Sequence, residues 1–325
     1  VALDGRIKQF RDPAYIEKLV VKVEKGDFLE RTLAMQELIS AGDYAVPAVV
    51  QMIATTPAAE RRAYGGYILS QLRGTAVPAI CESLKIPNPV VRQVIVQALE
   101  VIKDARSVPW LLWLAQDAEG NPLVAGAARE ALGKIAKDPA DTQVLAAKAF
   151  LKLSEDYYAK DRRVLLPHLY EHLVWRYNPR TQKLDAESFP RYLYPYRMAE
   201  EMARTALLVE PRYEPAVPAL INALFAQQND LESFFTAIEG QEMTEELQKE
   251  KALAEPIRER LRVAPLVAHA AGKKLLFAAL ASALRTDRTD VAHSCILALQ
   301  AVCNGDAIPR PLTTGGRSVG GALGA

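Results

Sequence analysis

The chain has 325 residues, half of them hydrophobic, enough for a sizeable core in one elongated domain or two compact ones. A net charge of +1 supplies no overall field for nucleic acid or an anionic membrane, and no apolar run approaches the ~20 residues that span a bilayer. Cys81, Cys295 and Cys303 form neither a disulfide framework nor a C-x-x-C pair, and among apolar neighbours they read as small buried hydrophobes. No secretory signal pattern opens the chain, and its start at Val1 leaves both a cytoplasmic and an exported, processed protein open.

The first clear signal along the chain is a repeat. "YAVPAVVQMI", "TAVPAICESL" and "RSVPWLLWLA" place Val46-Pro47, Val77-Pro78 and Val108-Pro109 at equal spacing. Proline suits the first turn of a helix, where its missing N–H would be unsatisfied anyway, and it disfavours helix in the residue before it. Each Val-Pro therefore starts a helix after a tight turn. Upstream of each lies an amphipathic stretch, "LERTLAMQELIS", "ERRAYGGYILSQL" or "VVRQVIVQALEVI", with apolar residues three and four apart. Gly42-Asp43, Gly74 and Asp104 provide the turns. The unit is a pair of helices whose apolar face needs a neighbouring pair to cover it.

Residues 122–136 predict a further first helix, and 141–158 a helix without the Val-Pro start. Helical periodicity returns at 215–228, 244–262 and 272–284, and "TDVAHSCILALQAVCNGDAIPRPL" (289–312) repeats the early logic, ending in Ile308-Pro309. No run alternates convincingly as a strand. The spacing, the Gly-Asp turns and the alanine-rich first helices resemble the HEAT-repeat family in its short bacterial form. The resemblance is strong over 28–136, good over 272–312 and weak between. Residues 197–228, with "AEEMARTALLVEP", look like a tetratricopeptide unit. The expected fold is all-α: an α-solenoid of HEAT-like helix pairs with an irregular aromatic-rich insertion. Its expected parts are HEAT-like repeats over 1–156, an aromatic-rich connector over 157–196, tetratricopeptide-like helices over 197–262, and a HEAT-like repeat with an uncapped Gly-rich end over 263–325. That end predicts a longer native chain or a covering partner.

Within the connector, "HLYEH" gives His168-x-x-Glu171-His172, the order found in inverted zinc metallopeptidases. Read as a helix, Leu166, Leu169, Tyr170, Leu173 and Tyr177 gather on one side, and His168, Glu171, His172 and Trp175 on the other. A catalytic zinc also needs a third protein ligand and an open position. Distant Glu245 and Glu246 are the nominal candidates, and three fixed positions occur readily by chance. The expectation is a packing or partner-contact patch, with metal at His168, Glu171 and His172 as the minority alternative and no cofactor. His269 and His293 stand alone on alanine-rich helices, and neither a G-x-S-x-G elbow nor a phosphate-binding loop is present.

"PRYLYPYR" concentrates arginine and tyrosine, the residue types of interface hot spots. With Trp175, the partner-binding candidates are Arg191, Tyr192, Tyr194, Tyr196 and Arg197. Stacking of nucleobases would demand a basic groove beside them, which the near-neutral charge does not support. HEAT resemblance implies rigid display of a repeat-built surface, with the second helices as its lining. The expected function is a non-enzymatic scaffold or adaptor for protein partners or self-assembly, without nucleic acid or a membrane span. HEAT-like enzymes such as bilin lyases and DNA alkyl-base glycosylases are the rival class.

Overall fold

A computed structural model describes residues 8–136, 139–167 and 171–304 of the chain. The described residues form two compact units, Val1–Ala216 and Val217–Ala325. In the first unit, α1 (Pro13–Lys25) precedes three pairs, each a first helix, a short 3-10 turn and a Pro-started second helix. They are α2 (Phe28–Ala41) with α3 (Val46–Thr55), α4 (Ala59–Gln71) with α5 (Val77–Glu82), and α6 (Pro89–Ile102) with α7 (Val108–Gln116). Next come α8 (Pro122–Ile135), α9 (Ala146–Tyr158), a hairpin of β1 (His172–Asn178) and β2 (Lys183–Phe189), and α10 (Tyr194–Val209). The helix pairs predicted around Val46-Pro47, Val77-Pro78 and Val108-Pro109 are present with their proline starts.

Local chemistry sets each boundary. Asn88 caps α6 by accepting from Val90 N (3.0 Å) and Val91 N (3.3 Å), and Asn121 caps α8 by accepting from Leu123 N (2.9 Å) and Val124 N (3.3 Å). In both, proline follows the cap at the first helical position. Asp27 and Glu30 close α2 with a reciprocal capping box. The turns into α3 and α5 begin at Gly42 (φ +65°) and Gly74 (φ +61°), where a side chain would be strained.

Packing then joins the pairs. First helices stack on first helices, α2 on α4, α4 on α6 and α6 on α8. Val46, Val49, Ile53, Val77 and Ile80 of the second helices, Leu84 in the turn after α5, and Ile95 and Leu99 of α6 are buried in the core. Arg106, itself buried, links successive turns: it donates to the carbonyl of Gly74 (2.6 Å), to Asp104 (2.6 Å) and, more weakly, to the carbonyl of Val164 (3.5 Å).

The connector departs from expectation. Residues 172–189 are an antiparallel hairpin in register from His172–Phe189 to Asn178–Lys183, not a helix followed by irregular chain. Asn178 nucleates the turn: its Oδ1 accepts from Arg180 N (3.0 Å) and Thr181 N (3.4 Å), and its amide donates to Asp185 across the strands (2.8 Å). Gln182 completes it at φ +55°. Val174, Trp175 and Tyr177 favour the pleated surface, so local preference and turn chemistry outweigh the helical spacing of the leucines. α10 begins at Tyr194, earlier than the tetratricopeptide-like segment was expected to start.

The second unit contains α11 (Ala216–Ile238), α12 (Glu245–Leu261), α13 (Ala264–Arg285, broken at Gly272, φ +76°) and α14 (Thr289–Asn304). α13 packs on α14, and Asn222 of α11 donates to the carbonyl of Ala279 (3.1 Å). Cys81 and Cys295 are buried as expected, whereas Cys303, near the end of α14, is exposed. Phe28–Thr55 and Ala264–Arg285 are long and apolar enough by composition to cross a membrane. The first is the α2–turn–α3 pair and the second is broken, so neither establishes a span. The Gly-rich end at 305–325, with Ile308-Pro309, lies outside the described residues.

Two glycines on helices test the packing. A Cβ on Gly65 of α4 would lie 2.5 Å from Cγ1 of Ile53, in the buried contact with α3, whereas one on Gly133 of α8 meets nothing within 4 Å. Gly65→Ala should lower stability by ~1–3 kcal/mol through overpacking. Gly133→Ala should raise it by ~0.5–1 kcal/mol through helix propensity. Urea denaturation of the two variants gives both signs.

Candidate functional site

The second-helix row was the expected binding face, and in this structure the chain's own hairpin lies against its first two members. β1 packs on α5 and on α10, and β2 approaches α3. The contacts are specific. Trp175 Nε1 donates to Asp43 Oδ2 (3.1 Å), and the backbone N–H of Tyr177 donates to Glu82 Oε1 (2.9 Å). Lys85 holds the same Glu82 oxygen at 2.8 Å. Just before the strand, Glu171 accepts from the Tyr44 hydroxyl (2.8 Å) and pairs with Arg11 (2.6 Å). Leu173, Val174, Leu184 and Phe189 are buried beneath these polar links.

α10 completes the setting with a buried ionic cluster. Arg197 is 1 % exposed and pairs with Glu200 (3.0 Å) and Glu201 (2.5 Å). Arg204 joins Glu200 at 2.9 Å, and Arg176 of β1 reaches Glu201 at 3.4 Å. The Arg197 guanidinium lies 5.5 Å from the centre of the Phe189 ring. Opposite charges pair here, as buried ions require, while Arg197 Nε and Nη1 and Glu201 Oε1 make no hydrogen bond.

These placements sort the expected interface residues. Tyr194 (3 % exposed), Tyr196 (4 %) and Arg197 are interior groups, so this structure corrects their reading as a partner-facing surface. The tyrosine-rich segment packs on α9 instead: Tyr196 meets Tyr158 edge-on at 5.4 Å, and Lys160 stands 4.8 Å over its ring. Trp175 and Tyr192 are half-buried, and Arg191 is exposed. The aromatic density marks the joint where the hairpin and α10 seat on the repeats. The Asn178-Pro179 turn signal between two short runs was the signal available for this.

His168 lies outside the described residues. Glu171 and His172 are consecutive residues entering a strand, so the helical face that would have aligned the motif does not form there. The Glu171 carboxylate is engaged by Tyr44 and Arg11. The His172 ring packs edge-on against Tyr194 (5.2 Å); burial holds its pKa below the ordinary value, and the charge of Arg191 adds to that. Among the described residues no three His, Cys, Asp or Glu side chains converge as a metal site. Between the hairpin, α5, α9 and α10, a cavity of about 20 Å³ is bounded by Glu82, Arg106, Trp110, Tyr157, Trp175 and Glu201. It has room for about one water molecule, not for an organic substrate.

Asp43 is the titratable group in this docking. Burial raises its pKa from 3.8 to about 6, against the hydrogen bond from Trp175 and backbone N–H groups that favour the charged form. An unfolded aspartate titrates near 3.9. The folded protein thus holds this proton more tightly, so the group's contribution to stability falls as pH rises through about 4 to 6 and is level above. Asp43→Asn keeps an oxygen to accept from Trp175 but does not ionise. It should match wild type near pH 4 and exceed it increasingly up to pH 7, by at most about 3 kcal/mol. Denaturation midpoints across that range would measure the difference, and a pH-independent gap would contradict it.

A family model described as HEAT repeats matches residues 77–161, from the Val77-Pro78 start of α5 to just past α9. Comparison with curated proteins gives no match.

Proposed function

We propose that this chain, which carries HEAT repeats over 77–161, is a non-enzymatic scaffold that holds protein partners in an assembly. The observation that carries the reading is a recurrence on the first helices. Their second residues are Leu29 in α2, Glu60 in α4, Val90 in α6 and Leu123 in α8. Leu29, Val90 and Leu123 are exposed, at 63, 44 and 72 %, and Phe28 beside Leu29 reaches 81 %.

Single exposed apolar residues are ordinary on a protein surface. Recurrence at equivalent places of stacked units is different, because stacking sets such residues in a row at the helix-to-helix spacing of roughly 8–10 Å. A row of this kind offers repeated anchors without disturbing the core that holds it. This moves the expected interface from the second helices, where the chain's own hairpin sits, to the ends of the first. Trp175, Tyr192 and Arg191 remain secondary candidates on the hairpin side. Within the proposal, residues 197–262 are taken as tetratricopeptide-like helices and the repeat as of bacterial type. HEAT repeats typically mediate protein interactions, which supports a binding role.

The double variant Leu29→Ser with Leu123→Ser should retain the wild-type melting temperature within a few degrees, since surface substitutions away from packed features change stability by about 0.5 kcal/mol or less. It should lose most of the stoichiometric partner captured from native lysate, or most of the self-association seen by light scattering. Unchanged capture and unchanged mass would remove the first-helix row from the proposal.

A further inference from the structure

A groove of ≈ 320 Å³ lies between α7 and α9, within the size range of ligand sites. Its walls are preformed. At one end Gln116 ties the helices together, donating to the carbonyl of Val144 (2.7 Å) and accepting from Ala146 N (2.9 Å). At the other end Arg106 reaches the carbonyl of Val164. Away from the groove, Trp110 and Phe150 lock α7 to α9 edge-to-face at 5.1 Å. The floor between the two ends is apolar, with Val108, Pro109, Leu112, Ala149, Leu153 and Val164.

The rim is cationic. Lys148, in the first turn of α9, is exposed and makes no ion pair among the described residues. At the opposite end Arg162, two residues before Val164, is likewise exposed and makes no ion pair among the described residues. Lys152 and Arg163 are matched by Asp156 and Asp161. The groove thus presents an apolar floor with the unpaired Lys148 on its rim at one end, and an exposed arginine in the turn that leads into Val164 at the other.

We propose that this groove docks an extended segment of a partner protein in which large apolar side chains are flanked on both sides by carboxylates. The inference rests on the scaffold reading and gives it a partner chemistry. The apolar side chains fill the floor, where burial supplies the affinity. The flanking acids meet Lys148 and Arg162, which set register and speed the encounter. No aromatic face lines the floor on which a nucleobase could stack.

Fluorescence anisotropy with three labelled peptides tests this on the intact chain: DEFLDE, its uncharged counterpart NQFLNQ, and DESSDE, which lacks the apolar pair. The expected result is saturable binding of DEFLDE, at least tenfold weaker binding of the other two, and weakening of DEFLDE with added salt. Lys148→Glu should weaken DEFLDE at least tenfold while leaving NQFLNQ unchanged. Ala149→Trp, which fills the floor, should remove binding of all three. Circular dichroism and melting curves establish that each variant is folded, and exposed Lys148 keeps the test valid if Ala149→Trp is not. Equal binding of the three peptides, no binding of DEFLDE at millimolar concentration, or a folded Lys148→Glu that binds DEFLDE as wild type does would each overturn the proposal. If the groove fails while the Leu29→Ser, Leu123→Ser variant still loses its partner, the scaffold reading stands without this site.

Discussion

Arg106 ties together stretches far apart in sequence. Its guanidinium is buried, and it spends its donors on Asp104 in its own turn, Gly74 in the turn before and Val164 beyond α9. A buried cation without partners would be costly, so this arginine requires the second and third turns to sit in one register. That register brings first helix onto first helix and the first turn beside the second. It also fixes where the chain leaves α9, and hence where the hairpin arrives. The same side chain bounds the small internal cavity and one end of the open groove.

The hairpin gives the first unit a feature the repeats alone would not have. A stack of helix pairs leaves its second-helix row open to solvent or to a partner. Here the chain closes part of that row itself, burying Leu173, Val174, Leu184 and Phe189 while Trp175, Tyr177 and Glu171 satisfy polar groups on the turns and α5. Four buried apolar side chains, each contributing roughly 1.5–3 kcal/mol, make this a permanent part of the core and not a readily released strap. Asp43 works against it: its ionised carboxylate is held in a place that favours the neutral form, and Trp175 limits the cost.

The ionic cluster of α10 follows the same logic at greater depth. Arg197, Glu200 and Glu201 occupy successive turns of one helix face and are almost wholly removed from water. Their mutual attraction offsets part of the desolvation cost, and the more exposed Arg176 and Arg204 pair with Glu201 and Glu200 in turn. α10 is consequently specified in rotation as well as position, and Phe189 of the hairpin meets the Arg197 guanidinium as a result. Arginines and tyrosines that resemble an interface by composition serve here as internal cement.

Helix pairing, the proline starts, the turns and the all-α repeat class were legible in the chain, because each rests on local chemistry: a proline that lacks an N–H, a glycine at positive φ, an apolar residue every third or fourth place. The hairpin was not, because Leu166, Leu169, Tyr170, Leu173 and Tyr177 satisfy a helical period, and the competing strand preference of Val174, Trp175 and Tyr177 is reinforced only by contact with α5 and α10. Nor was the fate of Tyr194, Tyr196 and Arg197, since composition ranks residue types without saying which side of a helix meets another. The sequence by itself determined the repeating unit. Tertiary structure alone decided which faces those units keep covered, because burial is a property of neighbours brought together across long separations in the chain.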